Sequence, residues 1–232
     1  MMNGDIWMNK KFFLHKLFIV APMLIYMVVY LVWFGAVEKT DYSRCTEIHC
    51  VFDDMIPFCE FFIVPYLLWF IFVAAGIIYQ LFADERRFAE LCMVLISGIT
   101  IFLIISTIFP NIIHLRPDTL PRDNIFSRMV EKLYATDTPT NVMPSIHVYN
   151  TLAIMASLLR SKGKIAAMPA VKIPCLILSA SIILATMFLK QHSVLDVTAA
   201  TLMFIVCQGI FGTIFGSDYK RTGYQKSDTI TT

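Results

Sequence analysis

Charge is what this sequence has least of. Only 16% of its 232 residues are Asp, Glu, Lys or Arg, against about 25% in soluble domains, and that scarcity excludes an ordinary water-soluble globule. The formal net charge is +2, and the basic residues fall into short clusters instead of covering one face, which excludes a nucleic-acid-binding surface. No internal repeat and no low-complexity stretch interrupts the chain, so solenoid and disordered architectures fall away. The Cys and His residues lack metal-ligand spacing. The loops carry no glycosylation sequon and are short, which favours a bacterial plasma membrane over a eukaryotic organelle.

Apolar residues are what it has most of, at 57% of the chain and a mean hydropathy of +0.68. Apolar runs cover residues 17–36, 57–82, 91–109, 171–189 and 197–215, each near the roughly 20 residues that cross a bilayer core. A sixth run, 147–159, is shorter and becomes long enough if its helix starts near Pro144. The expected fold is therefore an all-α, polytopic membrane bundle of six transmembrane helices over residues 1–216, followed by a polar cytoplasmic tail at 217–232. The first run is too long for a signal-peptide core and lacks a clear cleavage site, so it is read as a span.

Loop charge sets the orientation. Lys10, Lys11 and Lys16, then Arg86 and Arg87, then Arg160, Lys162 and Lys164, then Lys220, Arg221 and Lys226 alternate with the other loops. By the positive-inside rule these four regions, including both termini, are cytoplasmic. The acidic loop at 37–56, with Glu38, Asp41, Glu47, Asp53 and Asp54, faces outward. It holds Cys45 and Cys50, which form either a disulfide or two free thiols. Cys59, Cys92, Cys175 and Cys207 lie in apolar runs and read as small core residues.

The long loop at 110–143 carries Ile125, Phe126, Met129, Val130, Leu133 and Tyr134 at helical spacing, with Asp123 or Asn124 as the cap. This predicts a short helix, either in the membrane interface where it guides a lipid or as a lid packed on the protein's own spans. Trp33, Tyr66 and Tyr79 read as interfacial anchors, while Phe61, Phe62, Trp69 and Phe72 read as lipid-facing or packing residues.

Ionisable groups are expensive in apolar segments and mark candidate sites there. His147 follows Pro144-Ser145-Ile146 at the start of the short run at 147–159, and His192 precedes Asp196 by four residues, one helical turn. Asp196 can hold one imidazole nitrogen of His192 and leave the other free to attack. Arg116 can fork two donors onto a phosphate; Ser145 and the backbone N–H groups at Ile146 open a helix as an anion-binding end. His147 is placed to protonate a leaving oxygen. Isolated Glu60 is expected to be paired or to sit at a helix end, His49 to be a solvated loop residue, and His114 to be a weaker candidate beside Arg116.

The Arg116, Pro144-Ser145-Ile146-His147 and His192-to-Asp196 fragments resemble the three signature motifs of the type 2 phosphatidic acid phosphatase superfamily, over about the second half of the chain. The resemblance implies a lipid phosphate or pyrophosphate substrate, a phosphohistidine on His192, and neither metal nor cofactor. It also has gaps. Phe109 stands where the superfamily has a lysine, Ile146 where it has glycine, and Ala185-Thr186 where it has a serine-arginine pair. Two phosphate-binding cations are missing, and Lys190, Arg122, Arg128 or Lys132 are the candidates to replace them. Fewer cations suit a phosphodiester better than a monoester dianion. A lipid phosphatase is thus the first expectation, a head-group phosphotransferase of the sphingomyelin-synthase-like type the second, and a catalytically silent lipid-phosphate-binding protein the third. The partners expected are membrane lipids. Oligomeric state is not legible.

Overall fold

The computed structural model describes the backbone of residues 2–228 and the side chains of residues 11–215. The chain is a helical bundle: α1 (Met2–Val37), α2 (Val51–Met55), α3 (Ile63–Ala83), α4 (Glu85–Ile108), α5 (Ile125–Thr136), α6 (Ile146–Arg160), α7 (Lys164–Ala167), α8 (Pro169–Phe188) and α9 (Val194–Asp228). Among the described residues the strands are two residues each, β1 (Thr46–Glu47) and β2 (Asn111–Ile112), paired in parallel. Among the described residues, five helical stretches are long and apolar enough to cross a membrane: Lys11–Val37, Glu60–Ala83, Glu85–Ile108, Pro169–Phe188 and Val194–Phe215. Large apolar side chains such as Phe18, Val32, Ile71, Ile177 and Val206 stay exposed along them. Such a surface is stable against lipid tails and not against water, so the chain is an integral membrane protein.

Expected boundaries shift where charge hides a helix. The third run was placed from residue 91, but α4 starts at Glu85, because the Asp84 side chain caps it by accepting the N–H groups of Arg86 and Arg87 at 3.1 Å. The sixth run is a helix too, α6, but its 15 residues fall short of the roughly 20 that lipid demands. Its surroundings explain this. α6 sits in the middle of the bundle against α3, α4, α8 and α9, and its neighbours are protein. Polar Asn150, Thr151 and Ser157 are accordingly buried in it, with Gln80 donating to Ser157 Oγ at 2.9 Å. The expected tail begins as a continuation of α9; residues 229–232 lie outside the described residues, as do the tail's side chains.

Two glycines let α6 come this close. A Cβ on Gly98 would stand 2.1 Å from the Tyr149 ring, and one on Gly76 would stand 2.4 Å from Ile154 Cγ2. The Tyr149 hydroxyl then reaches Val94 O at 2.7 Å, so α4 accepts its one buried polar group. Ile154, Val148, Ala153, Leu91, Val94 and Ile182 fill the surrounding core.

The ends of α1, α4 and α8 meet the starts of α3, α6 and α9 at one end of the bundle. At the opposite end, Glu90 accepts from Arg87 Nη1 and Arg160 Nη2, both at 2.7 Å, and from Gln208 at 2.9 Å, tying α4, α6 and α9 together. The buried Lys16 ammonium donates there to Leu81 O at 2.6 Å and Glu85 at 2.7 Å.

Candidate functional site

At the first end, chain-distant fragments converge. Asp196, fully buried in the first turn of α9, faces His192 Nδ1 at 3.3 Å and accepts the Ser193 N–H at 2.8 Å through the same oxygen. The second carboxylate oxygen has no partner. The turn carrying His192 is fastened from behind, since the N–H groups of Gln191 and His192 both donate to Thr186 O at 3.0 Å. Thr186, which replaces the expected arginine, thus serves through its backbone.

Ser145 caps α6, with its hydroxyl oxygen accepting the Val148 N–H at 3.4 Å and its own N–H donating to Asp196 O at 3.3 Å. That bond joins the two histidine-bearing fragments through backbone. Ser145 engages Val148 and Tyr149, so the N–H groups of Ile146 and His147 remain for a ligand at this helix start. The loop before it is held by the buried Asn111, whose Oδ1 accepts from Met143 N at 2.9 Å and whose backbone carbonyl accepts from Asn141 N at 2.6 Å.

The His147 ring lies 5.7 Å from the His192 ring, centroid to centroid. It packs against Tyr66 at 4.8 Å and Trp69 at 4.4 Å, and Trp69 Nε1 donates to His147 O at 3.1 Å. The sequence reading gave neither aromatic residue this role. Tyr66 was expected at an interface and is buried, with its hydroxyl on Asp137 at 3.2 Å. Only the fold reveals that α3 turns both toward α6.

Arg116 is beside the site with both terminal nitrogens engaged and its Nε left without a partner. Its Nη1 donates to Tyr134 O at 3.3 Å, and its Nη2 to Asp137 O at 2.9 Å and Gln191 Oε1 at 2.5 Å. The guanidinium stacks on Tyr134 at 4.5 Å. Burial pushes the Tyr134 phenol up to about 12, against the pull of that guanidinium. Arg116 therefore frames the loop and positions Gln191, whose Nε2 is left without a partner.

Lys190, expected to bind phosphate, points away from the histidines. At φ 55° its ammonium reaches Asp53 O at 2.7 Å and Ile56 O at 2.5 Å, and burial lowers its pKa against the pull of Asp53 and Asp54. The other replacement cations divide. Arg122 pairs with Glu60 at 3.0 Å and Arg128 with Asp123 at 3.2 Å, whereas Lys132 lines the cavity described below.

Asp53, unremarkable in sequence, accepts from Ser193 Oγ at 2.6 Å and from the Val194 and Cys50 N–H groups at 2.8 Å. Burial pushes its carboxyl up, but these bonds outweigh it and hold the group below the usual carboxylate range. Cys45 and Cys50 are free thiols. His114 is exposed. His49 is exposed, and its hydrogen bond to Asp54 at 3.0 Å raises its pKa. Glu60 is buried at a helix start and paired, with Asn124 also donating to it at 3.0 Å.

A cavity of about 620 Å³ opens beside the two imidazoles. α5 closes one side as a lid. Asn124 caps it, accepting the Ser127 N–H at 2.9 Å; Val130 and its neighbours pack on Ile63, Tyr66, Ala185 and Leu189, while Met129, Lys132, Leu133 and Thr136 face the cavity. Tyr30 and Phe34 of α1 and Leu67 and Phe70 of α3 line it further out. Among the described residues, no three His, Cys, Asp or Glu are grouped as a metal ion would need. Comparisons with protein-family models, curated proteins and solved structures find no match.

Proposed function

We propose that this protein is a membrane lipid phosphatase acting through a phosphohistidine on His192. The observation that carries the reading is the meeting of His147 and His192, 45 residues apart in sequence, at a ring separation of 5.7 Å with Asp196 behind His192. Asp196 holds Nδ1 and leaves Nε2 for in-line attack on phosphorus. The N–Pbond forms as the bond from phosphorus to the lipid oxygen breaks, and His147 gives that oxygen its proton. Water then attacks phosphorus, the N–P bond breaks, His147 takes a proton from the water, and phosphate leaves. The N–H groups of Ile146 and His147 and the amide of Gln191 stabilise charge on the equatorial oxygens. Arg116 acts on them through Gln191.

Transfer to a lipid hydroxyl in place of water is the second reading. It is favoured by the placement of Lys190 and Arg116, whose donors go to backbone carbonyls and Gln191, leaving a site poor in cations for a monoester dianion. In both readings α6 is the sixth crossing element, shielded from lipid by its neighbours. Both termini are cytoplasmic and the site faces outward, in a bacterial plasma membrane.

The test is phosphate release by purified protein from a panel of lipid phosphates in EDTA, with His192→Ala alongside and acid-labile, base-stable label sought on the chain. Release and labelling that vanish in the variant are expected. Release that survives His192→Ala, or none from any lipid with no transfer product, overturns the reading.

A further inference from the structure

Besides the histidines, the cavity lining carries groups that phosphate binding does not need. Among the described residues lining the cavity are two carboxylates, Glu38 and Asp137, against one lysine, Lys132. Neither carboxylate is neutralised by an ion pair among the described residues. Glu38 accepts from Thr138 Oγ1 at 2.6 Å and, weakly, from Asn141 Nδ2 at 3.4 Å; Asp137 accepts from the Tyr66 hydroxyl at 3.2 Å. Glu38 is held by neutral donors alone, whereas Asp137 also lies in the field of Arg116, which donates to its backbone carbonyl; a carboxylate without an ion pair is costly beside an anionic substrate and favourable beside a cation.

Two further features of this lining point the same way. Asn141, which lines the cavity at 5% exposure, has an Oδ1 with no hydrogen-bond partner. It is an acceptor awaiting a donor. Tyr30, Phe34, Phe70 and Phe102 add aromatic surface to this lining, with Phe34 stacked on Tyr30 at 5.5 Å and tilted to Phe102 at 6.2 Å. Ring faces attract a desolvated ammonium.

We infer that the cavity pairs a phosphate end at His192 with an ammonium end formed by Glu38, Asp137, Asn141 and the aromatic wall, and so selects a zwitterionic lipid phosphate whose ammonium lies close to its phosphorus. The orientation of the substrate rests on the catalytic reading above. The ammonium end supplies from the ligand the positive charge that Phe109 and Thr186 do not supply from the protein.

The test separates binding from turnover. Delipidated full-length protein carrying His192→Ala is offered an equimolar mixture of dioleoyl phosphatidylethanolamine, phosphatidylcholine and phosphatidylglycerol, and the lipid retained after washing is quantified by mass spectrometry. The three are diesters with the same chains, and phosphatidylglycerol lacks the ammonium. Retention of either ammonium lipid at least about fivefold over phosphatidylglycerol is expected, falling to about parity when Glu38→Gln and Asp137→Asn are added. Both substitutions keep an acceptor for Thr138 and Tyr66. Equal retention, preference for phosphatidylglycerol, or a preference untouched by the double substitution overturns the inference. Because His192→Ala removes the chemistry, ammonium preference in a protein that never turns over lipid leaves this site standing and sinks the catalytic reading, and the converse result does the reverse.

Discussion

The two ends of the bundle handle charge in opposite ways. At the end with Glu90, the carboxylate receives two guanidinium donors and an amide, and three helices are locked by charge that cancels on the spot. At the other end one ion pair, Arg122 with Glu60, closes in the same way, but the charges around the histidines are held by neutral groups and left open: Asp196 by a peptide N–H and an imidazole, Glu38 by hydroxyl and amide, Arg116 by carbonyls. Ion pairs that close on themselves give a joint. Charges kept apart by neutral partners give a site.

The contrast can be broken from either end. The largest effect belongs to Asp196→Asn, which keeps an acceptor for the Ser193 N–H and loses the charge behind His192. Turnover of whichever lipid the panel identifies should fall about 10²-fold or more while the melting temperature in detergent barely moves. A large loss of stability with turnover per folded molecule intact would show that Asp196 belongs to the frame. Next comes Glu90→Ala at the opposite end, which strands Arg87 and Arg160. A destabilisation of about 2–3 kcal/mol is expected, less than for a fully buried pair because both arginines are partly solvated. Denaturant unfolding followed by circular dichroism measures it, with turnover per folded molecule unchanged. The smallest effect is the pH response of Asp53. Its carboxyl is held below the unfolded range by the bonds from Ser193, Val194 and Cys50 that outweigh its burial. The stability it contributes is therefore complete above the unfolded carboxylate pKa and is lost as pH falls through the depressed folded value. Melting temperatures measured from pH 6 downward should decline less steeply in Asp53→Asn than in the parent.

What was legible in the sequence was local. A spacing of four pointed to His192 and Asp196 as a pair, although His192 lies in the turn before α9 and Asp196 reaches back to it from the first helical turn; the amphipathic period of 125–134 gave α5, and of its two candidate caps, Asp123 and Asn124, the structure uses Asn124. Long apolar runs gave five spans because lipid imposes length and composition on whatever touches it. α6 escapes that rule by lying inside, and its polar face reads as weakness until its neighbours are known. The histidine pair was also within reach, since two ionisable residues at the edges of apolar runs stand out by cost alone.

The missed parts depend on contacts across long separations. Glu38 meets Thr138 a hundred residues on, and no spacing rule brings them together. Lys190 carries the right charge beside the right histidine, yet its left-handed backbone turns the ammonium toward residues 53 and 56. Asn111 looks like any loop asparagine. Its importance lies in the short β1–β2 pairing that places it beneath Met143.

The first helix has a further consequence. α1 rests on α4 through Tyr26 on Thr100 at 2.6 Å and Trp33 on Thr107 at 3.0 Å, and is pinned by Lys16 near its middle and by Glu38 just past its last residue. Tyr30 and Phe34, between the pins, front the cavity. The helix is thus a strap across one side of a chamber whose other walls are α3, α5, the start of α6 and the loops beside them. A change at Glu38 would be felt at Tyr30 and Phe34 in the cavity lining, while the joint at Glu90 lies at the far end of the bundle and shares none of these contacts.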